Sequence, residues 1–538
     1  MQEPKKQSYL QGAAVLAATV VITKIIGFIY KIPLYNLLGD VGTAHFQVTY
    51  TIYTLLLTLS TAGVPVALSR LIAEARATGR PMQAKRIFNV AMGFFGFIGA
   101  VGTGIMLIWN KELGVFMGDP EIALGVMVLA PSVFFVCIVS VLRGYAQGHN
   151  DMLPTSISQI TEVLSKMVFG LIIAFWLVKM GADDATVSAG SIIGVTIGVA
   201  ISVPLMLYYK TKISKRYAEN LELDVPKGVW GTLADVVKVC VPIMLGSSML
   251  NIINLIDTKL VLNRLQSGAM LTSLEAETLY GAYSKGMTLY NLPSSLITPV
   301  AVSVVPIIAA SLARHDGQEA KKNVESCIKL TNIFALPAAV GLCVLAEPIY
   351  TTLFPVSHPI GSQLLSMLGI ASYFVCAYLV TNAVLQATGH EKLGLIALPL
   401  GGIIKIIVNW VLVGNPGINI IGAPIGTICC YLFITALNIV FILLKLPEKP
   451  DFIKITLRPV LCSLAMGAAA WGVNGLMSRF VLPLLGGRMI GKVLCLGVTI
   501  AAAVAVYAAL TLLTRVITKE DVILLPKGEK IAKILRLK

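Results

Sequence analysis

Apolar residues form long runs along the chain, and glycine, proline or clusters of charged residues interrupt them. A helix that crosses a membrane needs about 20 apolar residues, and most of these runs reach that length. They therefore predict an all-α polytopic membrane protein with about 14 transmembrane helices. The predicted spans lie near residues 9–37, 45–70, 87–109, 121–143, 154–179, 187–209, 232–263, 279–311, 328–353, 360–387, 393–414, 419–445, 456–477 and 489–515.

Composition supports the membrane class and excludes others. Of the 538 residues, 56% are hydrophobic and only 13% are charged, whereas soluble domains carry about 25% charged residues. A soluble enzyme, a nucleic-acid-binding protein and a disordered chain are excluded at this step. The net charge of +15 is therefore informative about the orientation of the helices in the membrane. We expect no nucleic-acid partner.

Basic residues are distributed unevenly between the predicted loops. Of the 42 lysines and arginines, 28 fall on one side of the membrane and six on the other. Because basic loops remain in the cytoplasm, both termini are predicted to be cytoplasmic. In the basic tail, residues 526–538 place apolar residues on one helical face, which suits contact with anionic lipids of the inner leaflet. A solvated tail is the alternative.

Two sequence echoes indicate an internal repeat. LRGYAQGHNDMLP (142–154) resembles VLQATGHEKLGL (384–395) at an offset of 241 residues, and residues 72–86 resemble residues 309–322 at a similar offset. They predict two six-helix lobes related by a pseudo-two-fold axis along the membrane normal, with a central cavity. The predicted parts are an N-terminal lobe (1–225), a C-terminal lobe (226–450), two extra helices (451–518) and a basic tail (519–538).

Charged residues within a bilayer are costly and indicate function by default. Lys24 and Lys31 are seven residues apart, hence two turns apart on one face of the first helix, and neither has an acidic residue three or four positions away. This arrangement predicts a site for an anionic ligand such as a phosphate. The alternative for Lys31 is a side chain that extends to the outer surface.

Glu162 and Lys166 are four residues apart in the order that favours an ion pair within one helix, so we interpret them as a structural pair. Lys405 lies at nearly the same depth as Lys166 in the other half, with Asn409 one turn later, which favours polar packing inside a lobe.

The seventh and eighth spans carry the remaining polar candidates. Asn251, Asn254 and Asp257 form one stripe that must face a cavity or other helices. The candidate cationic cavity residues are Lys24, Lys31, Lys285 and Arg264, and the candidates for polar or ion-coupling roles are Asn251, Asn254, Asp257, Lys259 and Asn291. Three prolines in the eighth span predict kinks.

No catalytic signature is found in the sequence, so we expect neither an enzyme nor a catalytic residue. The five histidines have no metal-ligand spacing and the nine cysteines form no C-x-x-C pair, so we expect no metal and no cofactor. The lack of a nucleotide-binding motif favours secondary transport.

Four segments carry a family resemblance. They are TKIIGFIYKIPLYNLLG (23–39), AGVPVALSRLIAEARATG (62–79), SVLRGYAQGHNDMLPTSISQITE (140–162) and IKIIVNWVLVGNPGINIIGAPIGT (404–427). They resemble the SpoVB/YtgP branch of the MurJ-like flippases, in the multidrug/oligosaccharidyl-lipid/polysaccharide exporter superfamily.

This resemblance implies a fourteen-helix, two-lobe exporter of the bacterial cytoplasmic membrane that works by alternating access. It implies, as substrate, an anionic lipid-linked pyrophosphate saccharide such as lipid II, moved from the inner to the outer leaflet. We expect a monomer, and a coupling ion is left open. Lys24 and Lys31 stand where the family has arginines. The acidic partner near the eighth helix is not obvious, since Glu275 and Glu277 precede that span. The two extra helices would hold the polyprenyl tail.

Three alternatives remain. A cation-coupled multidrug antiporter of the same superfamily would need carboxylates in its cavity, where the candidates here are mostly basic. A membrane glycosyltransferase or polymerase would need acidic residues on a long outer loop. A non-transporting scaffold for sporulation or division would not require lysines within the membrane, so the intramembrane lysines argue against it.

Overall fold

The protein is built from helices connected by short turns in this computed structural model, which describes residues 9–61, 63–216, 224–486, 488–514 and 516. In chain order the helices are α1 (Tyr9–Thr61), α2 (Val64–Ala77), α3 (Pro81–Ile108), α4 (Asn110–Met117), α5 (Ala123–Gly148), α6 (Leu153–Lys179), α7 (Asp184–Arg216), α8 (Val229–Ser267), α9 (Ser273–Ala313), α10 (Gly317–Val344), α11 (Ala346–Leu353), α12 (Ile360–Ala387), α13 (Glu391–Val413), α14 (Gly422–Lys445), α15 (Phe452–Leu476), α16 (Leu482–Leu484) and α17 (Met489–Leu513).

The number of membrane crossings depends on Gly39. Within the described residues, 13 segments are long and apolar enough to cross a membrane, and the first of them covers 60 residues, Ala18–Ala77. Gly39 interrupts this segment with φ 68° and ψ −162°, a conformation that is essentially restricted to glycine. Because the kink separates two predicted spans, the fold is consistent with about 14 transmembrane helices.

Two predicted spans are interrupted in the structure. The span predicted at 45–70 stops at Thr61 and resumes in α2, where a proline occupies the first turn. Proline has no N–H to donate and is therefore tolerated at a helix start. The span predicted at 328–353 ends at Val344, and α11 begins after Leu345. Runs of apolar residues continue across both breaks, so hydropathy alone does not locate them.

The chain divides into two compact units. Unit 1 comprises residues 1–266 and 272–281, and unit 2 comprises residues 267–271 and 282–538. In unit 1, α6 and α7 pack closely through Gly194, where an added Cβ would lie 2.5 Å from the Gly170 backbone nitrogen. Small residues allow helix backbones to approach in this way within a membrane.

Unit 2 has its own apolar core. Residues of α9, α10, α12 and α14 form its largest described part, which includes Ile308, Cys327 and Val384. The helices α15 and α17 bury smaller clusters, for example Met466 with Ala503. Elsewhere on α15, large apolar side chains such as Leu461 and Trp471 are exposed, as expected for a surface in contact with lipid.

Candidate functional site

The first helix and α6 bring two lysines and three tyrosines together in unit 1, and we call this group the Lys–Tyr cluster (Tyr30, Lys31, Tyr35, Tyr50 and Lys166). The Lys166 ammonium lies 4.3 Å from the centre of the Tyr50 ring and 5.6 Å from that of Tyr30. It also donates a hydrogen bond of 3.1 Å to the Tyr50 hydroxyl. The Lys31 ammonium lies 5.7 Å from the Tyr35 ring centre. Aromatic faces stabilise cations where water is scarce.

An ion pair borders this cluster. Arg143 of α5 donates a 2.9 Å hydrogen bond to a carboxylate oxygen of Glu162 on α6, and its Nε donates to Ser158. Glu162 and Lys166, predicted to neutralise each other, thus each have a partner on another helix: Arg143 for Glu162 and Tyr50 for Lys166. This correction follows from packing, because residues 19 positions apart have no local sequence signal.

The cluster and its neighbours carry an excess of positive charge. Lys31, Lys166 and Arg143 contribute three cationic groups, and Glu162 contributes one carboxylate. Lys24, two turns before Lys31 on α1, has an exposed side chain. Two unit charges 4 Å apart attract by about 4 kcal/mol at the effective dielectric constant of a partly solvated site. The arrangement is therefore chemically suited to holding an anion.

The polar stripe of α8 contacts other residues of unit 1 along part of its length. The Asn251 amide donates a 2.8 Å hydrogen bond to the Thr58 hydroxyl on α1. Asp257 is buried, whereas Asn254 is exposed and Arg264 is half-buried. The Lys259 ammonium lies 3.3 Å from the centre of the Phe116 ring. Part of the stripe therefore contacts protein, and part of it is exposed.

The candidates of α9 and α13 lie in unit 2. Lys285 is only 2% exposed, and its ammonium lies 5.6 Å from the Phe354 ring centre. Asn291 is exposed and donates to the Met287 carbonyl of its own helix. Lys405 and Asn409 are both buried.

A buried histidine with three carboxylates is the feature that the sequence analysis missed. His45 Nδ1 lies 2.7 Å from an Asp119 oxygen, and its Nε2 lies 3.7 Å from Glu121 and 4.0 Å from Glu277. Ser273 donates a hydrogen bond to the other Glu277 oxygen. His45 and Asp119 are 74 positions apart, so no spacing signal could have revealed them. The group can hold a proton shared between imidazole and carboxylate.

Solved structures of other proteins have the same fold as this chain. The inward closed conformation of the lipid II flippase MurJ aligns with a TM-score of 0.67 over 93% of this chain and 98% of that one, at 16% identity. An inward-facing multidrug resistance MATE transporter of the MOP superfamily aligns with a TM-score of 0.63 over 79% of this chain and 97% of that one, also at 16% identity. The chain therefore shares the fold of these two structures.

Sequence comparison identifies the family. The model described as "Polysaccharide biosynthesis protein" matches residues 9–312, more than half of the chain, and the protein belongs to this family. Among its relatives in Bacillus subtilis (strain 168), the membrane protein YabM is 29% identical over 99% of this chain and 97% of its own length. Stage V sporulation protein B is 24% identical over 97% and 98%, and the lipid II flippase MurJ is 23% identical over 93% and 94%.

Proposed function

We propose that the protein is a flippase that moves an anionic lipid-linked saccharide, such as lipid II or another undecaprenyl-pyrophosphate-linked precursor, from the inner to the outer leaflet by alternating access. The observation that carries this proposal is the excess of intramembrane cations around α1 and α6, in a chain whose relatives include a lipid II flippase. A multidrug antiporter that takes up cations would be poorly served by the same residues.

The negative charge of the pyrophosphate is the physical reason why such a flippase needs cations within the membrane. A pyrophosphate that enters the membrane loses hydration at a cost of several kcal/mol per charge, and fixed cations offset part of that cost. Lys24 is exposed and has no acidic residue within one turn, so it is available for a ligand. Lys31 and Lys166 are held in place by tyrosine rings and would meet the phosphates in a fixed position.

The proposal includes the architecture that the sequence predicts. We propose two six-helix lobes, two additional helices for the polyprenyl tail, a monomeric state and cytoplasmic termini. A single cysteine introduced at Gly181 should react with a membrane-impermeant reagent from outside, whereas one at Gly79 should react only after permeabilisation. The opposite labelling pattern would contradict the orientation.

The function can be tested in cells depleted of their lipid II flippase. The Lys24→Ala, Lys31→Ala double variant should abolish appearance of precursor at the outer leaflet, while Lys24→Arg should retain it. Lys179→Ala, at an exposed lysine of α6, is the matched control and should act like the wild type. Membrane amounts of each variant are measured in parallel. Normal flipping by the double variant would refute the cationic site, and drug export without precursor flipping would favour the antiporter.

A further inference from the structure

A basic cleft lies in unit 2 where the beginnings of α10 and α15 meet. Its volume is about 370 Å³. Four cationic side chains line it, two from each helix, together with two carboxylates. The cations are Lys321, Lys329, Lys454 and Arg458, and the carboxylates are Glu325 and Asp451. We call this feature the α10–α15 cleft, and it is separate from the Lys–Tyr cluster of unit 1.

Both carboxylates of the cleft accept hydrogen bonds from backbone amides. Glu325 accepts a 3.0 Å hydrogen bond from the Asp451 N–H, and the Asp451 side chain accepts a 3.1 Å hydrogen bond from the Lys454 N–H. The second bond caps the start of α15. The two acids therefore fix the start of α15 against α10, and part of their hydrogen-bonding capacity is already taken.

The cations form two facing rows. Lys321 and Lys329 lie two turns apart along α10, while Lys454 and Arg458 lie one turn apart on α15. Within the part of the chain that the structure describes, Lys321, Lys454 and Arg458 make no ion pair with protein. The cleft carries two more cations than carboxylates, and the cations come from both of its walls. Arginine and lysine in such an arrangement favour phosphate oxygens.

The surface beside the cleft indicates how the phosphate is carried. Ile455, Pro459 and Val516 add apolar contacts to the cleft lining. Next to it on α15, Leu457, Leu461 and Leu464 are each more than half exposed. These three leucines follow the spacing of one helical face. A charged cleft that continues into an apolar stripe matches a molecule with a phosphate head and an acyl chain.

We propose that the α10–α15 cleft binds a phosphate group, and that the adjoining leucine stripe selects phosphate carried by an anionic membrane lipid over free phosphate. This site shares no residue with the Lys–Tyr cluster proposed for the transported substrate. It lies among the loops that the basic asymmetry assigns to the cytoplasmic side, where anionic headgroups attract lysine and arginine. Lipid bound here would fasten α15 to α10.

The proposal is tested with the purified full-length protein in neutral detergent. Short-chain phosphatidylglycerol, short-chain phosphatidylcholine and inorganic phosphate are titrated separately, and binding is measured by native mass spectrometry. Phosphatidylglycerol should bind, and the Lys454→Gln, Arg458→Gln double variant should bind it at least about tenfold more weakly. Arg458→Lys should keep most of the affinity. The matched control, Arg479→Gln with Lys492→Gln, removes two charges away from the cleft and should change nothing.

Further variants separate the two sources of phosphate and guard against misfolding. Leu457→Gln with Leu461→Gln should weaken phosphatidylglycerol binding without affecting that of inorganic phosphate. If the α15 double variant loses its thermal transition, Lys321→Gln on the opposite wall replaces it. Equal binding of inorganic phosphate and phosphatidylglycerol would overturn the lipid assignment. Equal affinity of wild type and cleft variants for phosphatidylglycerol would overturn the site.

Discussion

Helix α6 of unit 1 and helix α13 of unit 2 follow corresponding Gly-His turns, and each carries a lysine within its span, but the two lysines have different environments. Lys166 of α6 is half-buried and donates to Tyr50. Lys405 of α13 is only 4% exposed. The same sequence feature therefore provides an accessible cation in one unit and an enclosed one in the other. Burial, not the presence of a charge, separates a candidate site from structural packing.

The turns before these helices differ as well. His149 is buried, and its imidazole Nδ1 lies 2.9 Å from the Tyr145 carbonyl oxygen. His390 is half-buried, and its Nδ1 lies 3.4 Å from the Thr388 hydroxyl. The similar segments 142–154 and 384–395 thus both form a turn, but their histidines have different contacts. Four experiments examine this contrast.

The largest effect is expected at the ion pair beside α6. Arg143→Met leaves the Glu162 carboxylate without its partner in a site where both side chains are less than one-third exposed. We expect a loss of about 3 kcal/mol in the free energy of unfolding. The Arg143→Met, Glu162→Gln double variant removes both charges and should recover most of the loss. Thermal unfolding in detergent measures both. A double variant less stable than either single variant would contradict the pairing.

The second effect compares glycines of the two units. Gly194→Ala places a Cβ against the Gly170 backbone of α6, so α6 and α7 must separate. Gly426→Ala on α14 instead meets the side chain of Asn409, which can rotate. We expect a loss of about 2 kcal/mol for Gly194→Ala and clearly less for Gly426→Ala. The midpoints of thermal unfolding of the two variants measure these losses. A larger loss for Gly426→Ala than for Gly194→Ala would contradict the close backbone contact between α6 and α7.

The third experiment tests whether accessibility separates function from packing. Lys166→Met should lower delivery of lipid-linked precursor to the outer leaflet about tenfold, equivalent to about 1.4 kcal/mol of lost interaction. Lys405→Met should change it by less than about twofold once the amounts of protein in the membrane are matched, because the enclosed Lys405 ammonium is not accessible to a ligand. Protein amounts in the membrane serve as the control. Equal loss in both variants would remove the distinction between α6 and α13.

The smallest effect concerns pH and the first Gly-His turn. Burial lowers the pKa of His149 to about 4, and the charge of Arg76 acts in the same direction, while the hydrogen bond to the Tyr145 carbonyl opposes it. The folded protein thus binds this proton less readily than the unfolded chain, whose histidine has a pKa near 6.5. The stability contribution is complete above about pH 6.5 and is lost as the pH falls toward 4.

We expect the unfolding temperature of the wild type to fall over this interval more steeply than that of His149→Gln, which has no titrating group at this position. Unfolding curves recorded at several pH values in one detergent provide the measurement. Parallel pH profiles of the two proteins would contradict the contribution of His149.

Patterns with a short period were predictable from the sequence, and contacts over long distances were not. Apolar runs located the spans because a bilayer requires each helix to be apolar over about 20 residues. The spacing of Lys24 and Lys31 indicated one cationic face of α1. In contrast, the partners of Glu162 and His45 are supplied by other helices, so local spacing favoured the wrong partner for Glu162 and none for His45. Continuous hydropathy also concealed the breaks near Gly63 and Leu345.

The kink at Gly39 has a practical consequence for mapping the topology of this protein. It joins two membrane crossings without an intervening loop, and residues 42–46, just beyond it, are all buried. A reporter tag or a chemical probe directed at this corner would meet packed protein on either side of the membrane. An absence of labelling at residues 42–46 therefore does not show which side of the membrane they face. Labelling of the exposed turns at Gly79 and Gly181 can show it.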